Sequence, residues 1–448
     1  MEKATSEERK RADAANRAVR LHQLCSGKIQ TMPKCPIRSF QDLAIWYTPG
    51  VAAASRAIAQ DPDLVYELTN KANAVAIVSD GSRVLGLGDI GPEAGLPVME
   101  GKALLFKYFG AVDAFPVCVA AEKEDEIVSI VKALTPSFGG INLEDIATPK
   151  CFRVLDRIRS DLEIPVWHDD QQGTATVVLA ALLNALDVVG KRLDNVRIAL
   201  IGIGSANMAV FRILRAERVA AEQIIACDSK GTLHAGREDI KMAQEIFKEK
   251  WHVCQGSNPE RIAGGIPEAL RGADVCLAFS RSGPGVISPT DVSSMASDAI
   301  VFACANPIPE IWPADAKEAG AKIVATGRSD FDNQVNNSLA FPGVFRGALD
   351  VRARAITDGM VRSAAEAITR HAKDGGLSNG AILPRTDEME VAAAVAAAVG
   401  LQAQNEGIAR ITASFDDLKE RARKKISASR AAADALLQVG LIPQPLEH

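Results

Sequence analysis

Residues 196–207 constrain the fold more than any other stretch. Val196-Arg-Ile-Ala-Leu-Ile201 is an almost wholly apolar run. Gly202-Ile-Gly204-Ser205-Ala-Asn207 follows at once, and a helical pattern continues to about residue 219. An apolar run of that length between turn signals reads as a strand covered on both faces, typical of a parallel sheet. Parallel neighbours need crossover connections, usually helices. The flanking chain supplies them. Stretches 74–79, 114–119, 140–143, 164–167, 223–227, 275–279, 300–303 and 322–325 read as strands, with helical stretches between them. The expected fold is α/β, with a Rossmann-like doubly wound parallel-sheet domain over 169–337. A second α/β domain, for substrate, would occupy 1–168 and be completed by helices in 338–448.

Gly202 and Gly204 permit a tight turn and close approach of a pyrophosphate, and the helix opening at Ser205 offers amide donors and a positive dipole end. Asn207 stands where the usual fingerprint has a third glycine. Its amide would meet the phosphate, or its bulk would loosen the helix–strand contact. The bland alternative is a strand–turn–helix that binds nothing. Asp228 closes the next strand, where an acid normally holds the ribose 2′-hydroxyl of NAD. Ser229 and Lys230 could instead hold a 2′-phosphate by hydrogen bond and charge. The two signals conflict, and the preference leans to NADP over NAD.

Upstream, two pairs of adjacent carboxylates, Glu144-Asp145 and Asp169-Asp170, each lie at the end of a short strand. Such donors suit a hard divalent ion, Mg²⁺ or Mn²⁺, with substrate oxygens and water completing its shell. A hydride carrier beside a Lewis acid suggests oxidation of a hydroxy acid with chemistry at the adjacent carbon. Lys102 follows Gly101 where a helix is expected to begin. Burial near a metal would disfavour its charged form and make it a usable base, whereas a surface lysine is the alternative. Tyr47, in a loop bracketed by Pro49 and Gly50, offers a phenol able to give a proton to carbon, or merely packs. Arg83, in a glycine-rich loop, suits a bidentate carboxylate clamp or a surface ion pair. Asn306, Asn336 and Asn337 could orient substrate oxygens or cap turns.

Composition excludes other classes. The 448 residues are 47% hydrophobic and 24% charged with a net charge of −5, so no electrostatic reason exists to expect nucleic acid or an anionic membrane as partner. The basic run 419–425 reads as a solvated helix face. The eight cysteines form no CxxC pair, and Cys118, Cys227, Cys276 and Cys304 fall in apolar runs, as buried thiols in a reducing compartment would. The charged N-terminus has no secretory h-region, and no apolar run approaches a membrane span. A cytoplasmic location is expected.

Taken together the motifs resemble those of the malic enzymes. They are Tyr47-Thr-Pro-Gly-Val-Ala52, Val84-Leu-Gly-Leu-Gly-Asp-Ile-Gly91, Gly101-Lys102, Leu143-Glu-Asp145, Asp169-Asp-Gln-Gln-Gly-Thr-Ala175, Ala305-Asn-Pro307, and Asn336-Asn337 with Phe341-Pro-Gly-Val344, in family order from about residue 45 to 350. The resemblance is closest to the small bacterial-type members. It implies oxidative decarboxylation of (S)-malate to pyruvate and CO₂ with reduction of NAD(P)⁺. Tyr47 would be the general acid and Lys102 the base, with Asp169 beside the metal ligands Glu144, Asp145 and Asp170. Arg83, Asn306, Asn336 and Asn337 would bind substrate, Asn306 also meeting the coenzyme, and the family is typically dimeric or larger. The alternatives are another hydroxy-acid or amino-acid dehydrogenase without decarboxylation and, more remotely, a non-catalytic NAD(P)-binding regulator.

Overall fold

The structure is a computed structural model describing residues 6–444 apart from Leu85. Two parallel sheets dominate it. The first comprises β1 (Ala74–Ser79), β2 (Asp113–Cys118), β3 (Gly140–Leu143) and β4 (Val166–His168) in the order β2-β1-β3-β4. The second comprises β5 (Ile198–Ile201), β6 (Ile224–Asp228), β7 (Gly231–Thr232), β8 (Val275–Ala278), β9 (Ala299–Ala303) and β10 (Ala321–Thr326) in the order β10-β9-β8-β5-β6-β7. Only β7 runs antiparallel to its neighbour. Strands β1, β3, β4, β5, β8 and β9 are buried along their whole length. This is the expected doubly wound architecture, and the period-2 pleat is visible in the packing. Ile198 and Leu200 face one core, Ala199 and Ile201 another.

In each sheet the chain reverses its direction of growth once. In the first sheet the switch lies between β1 and β3, in the second between β5 and β8. Ligands of open α/β sheets bind at the carboxyl ends of strands beside such a switch. Ser79-Asp80 and Glu144-Asp145 leave the first switch; Gly202 and Phe279-Ser280 leave the second.

The helix Thr174–Val189 joins the two sheets. Twelve of its residues are buried, from Thr174 to Leu186, as expected for a helix apolar on all sides. Its buried Asn184 is satisfied by donating to Ile382 O at 2.9 Å. Contrary to the expectation from hydropathy, the continuous run 169–189 is long and apolar enough to cross a membrane by length and composition. Most of it lies inside the protein, so its apolarity belongs to the core.

Three readings of local structure are corrected. Lys102 is not at a helix start: its helix runs Gly91–Gly110 with Pro97 inside it. Glycines and prolines over 91–101 read as loop, but Pro92 suits a first turn, and burial of Gly95, Met99, Ala103 and Phe106 holds the rest in place. A short helix, Phe40–Trp46, precedes Tyr47, which is its C-terminal cap residue. Two helices, Glu238–Met242 and Lys248–Gly256, follow β7 where no element was expected. The C-terminal helices Phe341–Asp350, Asp358–Gly375, Met389–Asn405 and Phe415–Gln438 pack on one another, and the first and last also pack on the Lys102 helix.

Candidate active site

Strand β3 is hydrogen-bonded between β1 and β4 and releases its chain at Glu144, whose amide still donates to Val78 O at 3.0 Å. Asp145 then adopts φ +53°, a left-handed conformation that aspartate tolerates better than most residues. The turn aims its amide at Asp170 Oδ2, 2.9 Å away, and its carbonyl accepts from the Arg83 amide at 3.0 Å. Strand β4 ends at His168, and a single π-helical turn, Asp169–Gly173, follows. Local π geometry often marks functional sites. Here it presents Asp169 and Asp170 in different directions. Oxygens of Glu144, Asp145 and Asp170 lie within 4.8 Å of one another. Asn142 Nδ2 donates to Glu144 Oε2 at 2.9 Å and orients it.

Asp169 faces Lys102. Its Oδ2 is 2.5 Å from Lys102 Nζ, and Trp167 Nε1 donates to its Oδ1 at 3.0 Å. Lys102 Nζ is also 2.9 Å from Glu144 Oε1 and 4.4 Å from the Phe341 ring centroid. Burial alone would lower the lysine pKa, but Asp169 and then Glu144 outweigh it and push it above the ordinary lysine range. The expectation of a disfavoured charge is thereby reversed for the metal-free chain, because two carboxylates lie in direct contact. For Glu144 the balance runs the other way. Burial raises its pKa, Lys102 opposes, and the crowding acids Asp170, Asp169 and Asp145 raise it further, to well above the carboxylate range. Three all-oxygen donors whose mutual repulsion a cation would relieve fit a hard divalent ion. His168, fully buried 3.6 Å from Asp170, is held towards its neutral form chiefly by burial.

The asparagines divide. Asn337 Nδ2 lies 3.2 Å from both Asp169 O and Asp169 Oδ2, and exchanges contacts with Thr174. Asn336 Oδ1 accepts from Ser338 N at 2.9 Å and caps the turn that follows. Asn306 lies past the carboxyl end of β9, with its amide over Gly327. Its carbonyl meets Gly86 so closely that a Cβ there would come within 2.6 Å, which brings the glycine-rich loop of the first sheet against the second. Arg83 and Tyr47 are exposed.

The dinucleotide turn is built as expected. Gly202 has φ +83°, and a Cβ there would lie 2.6 Å from Phe279 O, so the two switch-point loops touch. The helix Ser205–Ala216 opens behind Gly204. Asn207 is fully buried, and its Nδ2 lies within 3.1 Å of the carbonyls of Ile201, Gly202 and Leu277, so it braces the turn from beneath. Asp228 is not free. Arg237 Nη1 and Lys250 Nζ each contact it at 3.1 Å, and the Lys230 amide donates to it at 2.9 Å. These cations outweigh burial and hold its pKa below the usual carboxylate value. Lys230 Nζ is solvent-facing, 3.6 Å from Asp239, and Ser229 lies exposed beside it.

Sequence reasoning missed Arg237 and Lys250, which come from the two unforeseen helical segments. It also missed Glu310. That fully buried carboxylate accepts from Ser280 N (2.7 Å), Ser280 Oγ (3.0 Å) and Ala305 N (3.0 Å), tying together the loops after β8 and β9. Its only signal was an acid three residues beyond Pro307 in an otherwise apolar stretch.

The family model for the malic enzyme N-terminal domain matches residues 26–125 and 120–159, and that for the malic enzyme NAD binding domain matches 171–404. The bifunctional malic/malolactic enzyme of Bacillus subtilis is 46% identical over 407 residues, 91% of this chain and 97% of that protein. The NAD-dependent malic enzyme of Geobacillus stearothermophilus is 48% identical over 384 residues, 86% of this chain and 78% of that protein. The crystal structure of Entamoeba histolytica malic enzyme superposes with a TM-score of 0.94 at 43% identity, covering 99% of this chain and 94% of that one. The matches span both sheets and the cleft between their switch points: the chain belongs to the malic enzyme family.

Proposed function

We propose that this chain converts (S)-malate and NAD(P)⁺ to pyruvate, CO₂ and NAD(P)H. The observation that carries the reading is the convergence of Glu144, Asp145 and Asp170 beside the Lys102–Asp169 pair. Glu144, Asp145 and Asp170 would hold Mg²⁺ or Mn²⁺, which when bound polarises the C2 oxygen and supports the negative charge that builds there as CO₂ leaves. Gly202, Gly204 and Ser205 would hold the dinucleotide, which would supply the acceptor for the C2 hydride.

The protein's own groups manage protons and position. Lys102 Nζ takes the C2 hydroxyl proton, having first passed its own to Asp169, whose carboxylate is 2.5 Å away. Asn337, Trp167 and Lys102 together fix that carboxylate. As the β-carboxyl group departs, its bonding pair passes to C3, and Tyr47 gives C3 a proton. Arg83 and Asn306 would bind the substrate carboxylates.

On the coenzyme, relatives are named both NAD-dependent and NADP-dependent. Asp228 is already paired with Arg237 and Lys250, and these two cations beside the end of β6 suit a 2′-phosphate, which supports NADP. The division into 1–168 with 338–448 and 169–337 is supported by the second sheet lying wholly inside the latter range. Eight free cysteines suit a cytoplasmic location.

Steady-state assay with malate, Mn²⁺ and each coenzyme tests the reading. We expect equimolar CO₂ and reduced coenzyme, abolished by EDTA and restored by Mn²⁺. Reduction without CO₂, or indifference to EDTA, would point to a plain hydroxy-acid dehydrogenase.

A further inference from the structure

The two cations beside Asp228 come from a stretch with little structure of its own. Arg237 precedes the short helix Glu238–Met242, and Lys250 is the third residue of the helix Lys248–Gly256. Residues 243–247 between the helices form only turns and a bend. Met242, Ile246 and Phe247 are exposed. The helix Lys248–Gly256 is seated firmly at its far end. There the His252 ring meets the Phe211 ring edge-on at 6.0 Å, and a Cβ on Gly256 would come within 2.9 Å of the same ring.

The near end, which carries Lys250, is reached by a side chain from the other sheet. Arg153 lies on the helix Lys150–Asp161, which follows closely on the Glu144-Asp145 turn. Its Nη2 donates to Ile246 O at 2.9 Å, and its Nη1 donates to Glu124 Oε1 at 2.9 Å. A planar guanidinium held by a carboxylate on one arm of its fork presents the other arm in a fixed direction. Phe247 follows Ile246 and is the N-cap residue of the helix, so the bond to Ile246 O sets where the first turn begins. The Phe247 ring lies 5.5 Å from Lys250 Nζ, and that ammonium reaches Asp228 Oδ2 at 3.1 Å. Each contact restrains the next. Glu124 orients Arg153, Arg153 fixes Ile246, Phe247 follows, and the ring flanks the Lys250 ammonium. A lysine on a flexible stem binds an anion more tightly when its place is set beforehand.

We infer that Arg153 is a positioning residue for coenzyme discrimination: it holds the start of the helix Lys248–Gly256 so that Lys250 stands ready for a 2′-phosphate. This rests on the reading that Lys250 meets that phosphate. Arg153 acts through the Ile246 carbonyl and Phe247, not on the coenzyme itself. Discrimination at the adenosine end is thereby shared between the two sheets, with the anchor on one and the cation on the other.

The test measures NADP⁺ and NAD⁺ binding by titration calorimetry to the full chain, which needs neither malate nor turnover. The variants are Arg153→Met, Lys250→Ala and the two combined. Arg153→Met is expected to weaken NADP⁺ by about three- to tenfold, the worth of one hydrogen bond, and NAD⁺ little. In the Lys250→Ala background the same change should cost NADP⁺ nothing more, because the path ends at the missing ammonium. Arg153→Lys, which can still donate to Ile246 O, should recover part of the loss. An Arg153 that only supports the fold would weaken both coenzymes alike, or add its loss to that of Lys250→Ala; either result overturns the inference, as does unchanged NADP⁺ binding by Arg153→Met. Phe247→Leu probes the next link without touching Arg153. A loss confined to NADP⁺ is expected, and equal losses with both coenzymes would overturn the path. Lys250→Ala showing no preference between the coenzymes would be a separate failure, that of the 2′-phosphate reading, and the inference would fall with it.

Discussion

Lys102, Asp169 and Asp170 show how neighbouring groups of one cluster separate their duties. Asp170 turns to Glu144 and Asp145, Asp169 turns to Lys102, and one π turn makes the difference. Lys102→Ala is expected to lower kcat about 10²- to 10⁴-fold, the usual worth of a positioned base, with Mn²⁺ binding by electron paramagnetic resonance preserved. Asp170→Ala should weaken Mn²⁺ at least about tenfold, since loss of even an outer-shell partner costs that much. Equal metal affinity in the two variants would dissolve the division. At the coenzyme end, Lys250→Ala should cost about tenfold or more in kcat/KM with NADP⁺, the worth of one charge-assisted bond, and little with NAD⁺. Equal losses with both coenzymes would make Lys250 a fold residue only. The acids and the lysine could be read from sequence because each motif is contiguous. Lys250 and Glu310 could not, because each reaches a partner more than twenty residues away and belongs to no local pattern.

The elements were read most accurately where apolar periodicity was strong. All nine strands expected from sequence are present, because a buried parallel strand has few alternatives once it is bounded by turns. Pro97 and its neighbouring glycines hid half of the Gly91–Gly110 helix, since tertiary packing there overrides local propensity. The C-terminal helices carried no transferable motif, yet they fasten the first sheet. Arg346, 1% exposed, donates to Asn73 Oδ1 and to Asp350 Oδ1, and Lys425 of the last helix pairs with the same aspartate. Arg346→Met leaves Asp350 with one partner and Asn73 with none from this helix. We expect a loss of about 3–5 kcal/mol, as for one half of a buried pair, read as a lower midpoint in urea. A midpoint within error of wild type would show that Lys425 alone sustains the junction.

At the scale of the whole molecule, the division into two sheets was legible from strand–helix alternation, and the uncovered helix Phe40–Trp46 was not. Exposure depends on what else the chain touches, which periodicity over 40–46 does not encode. The contact between Asp169 and Asn337 has a mechanical consequence. In the proposed division of the chain these residues mark where it would enter and leave the coenzyme-binding region, and Thr174 completes the junction. Both crossings thus meet at one carboxylate, the one that grips Lys102. Any swing of the dinucleotide half about this pivot carries Gly202, Ser280 and Asn306 through an arc, while the proton-handling pair stays near the axis and hardly moves. A cleft hinged there would open to exchange nucleotide and acid without dismantling its base.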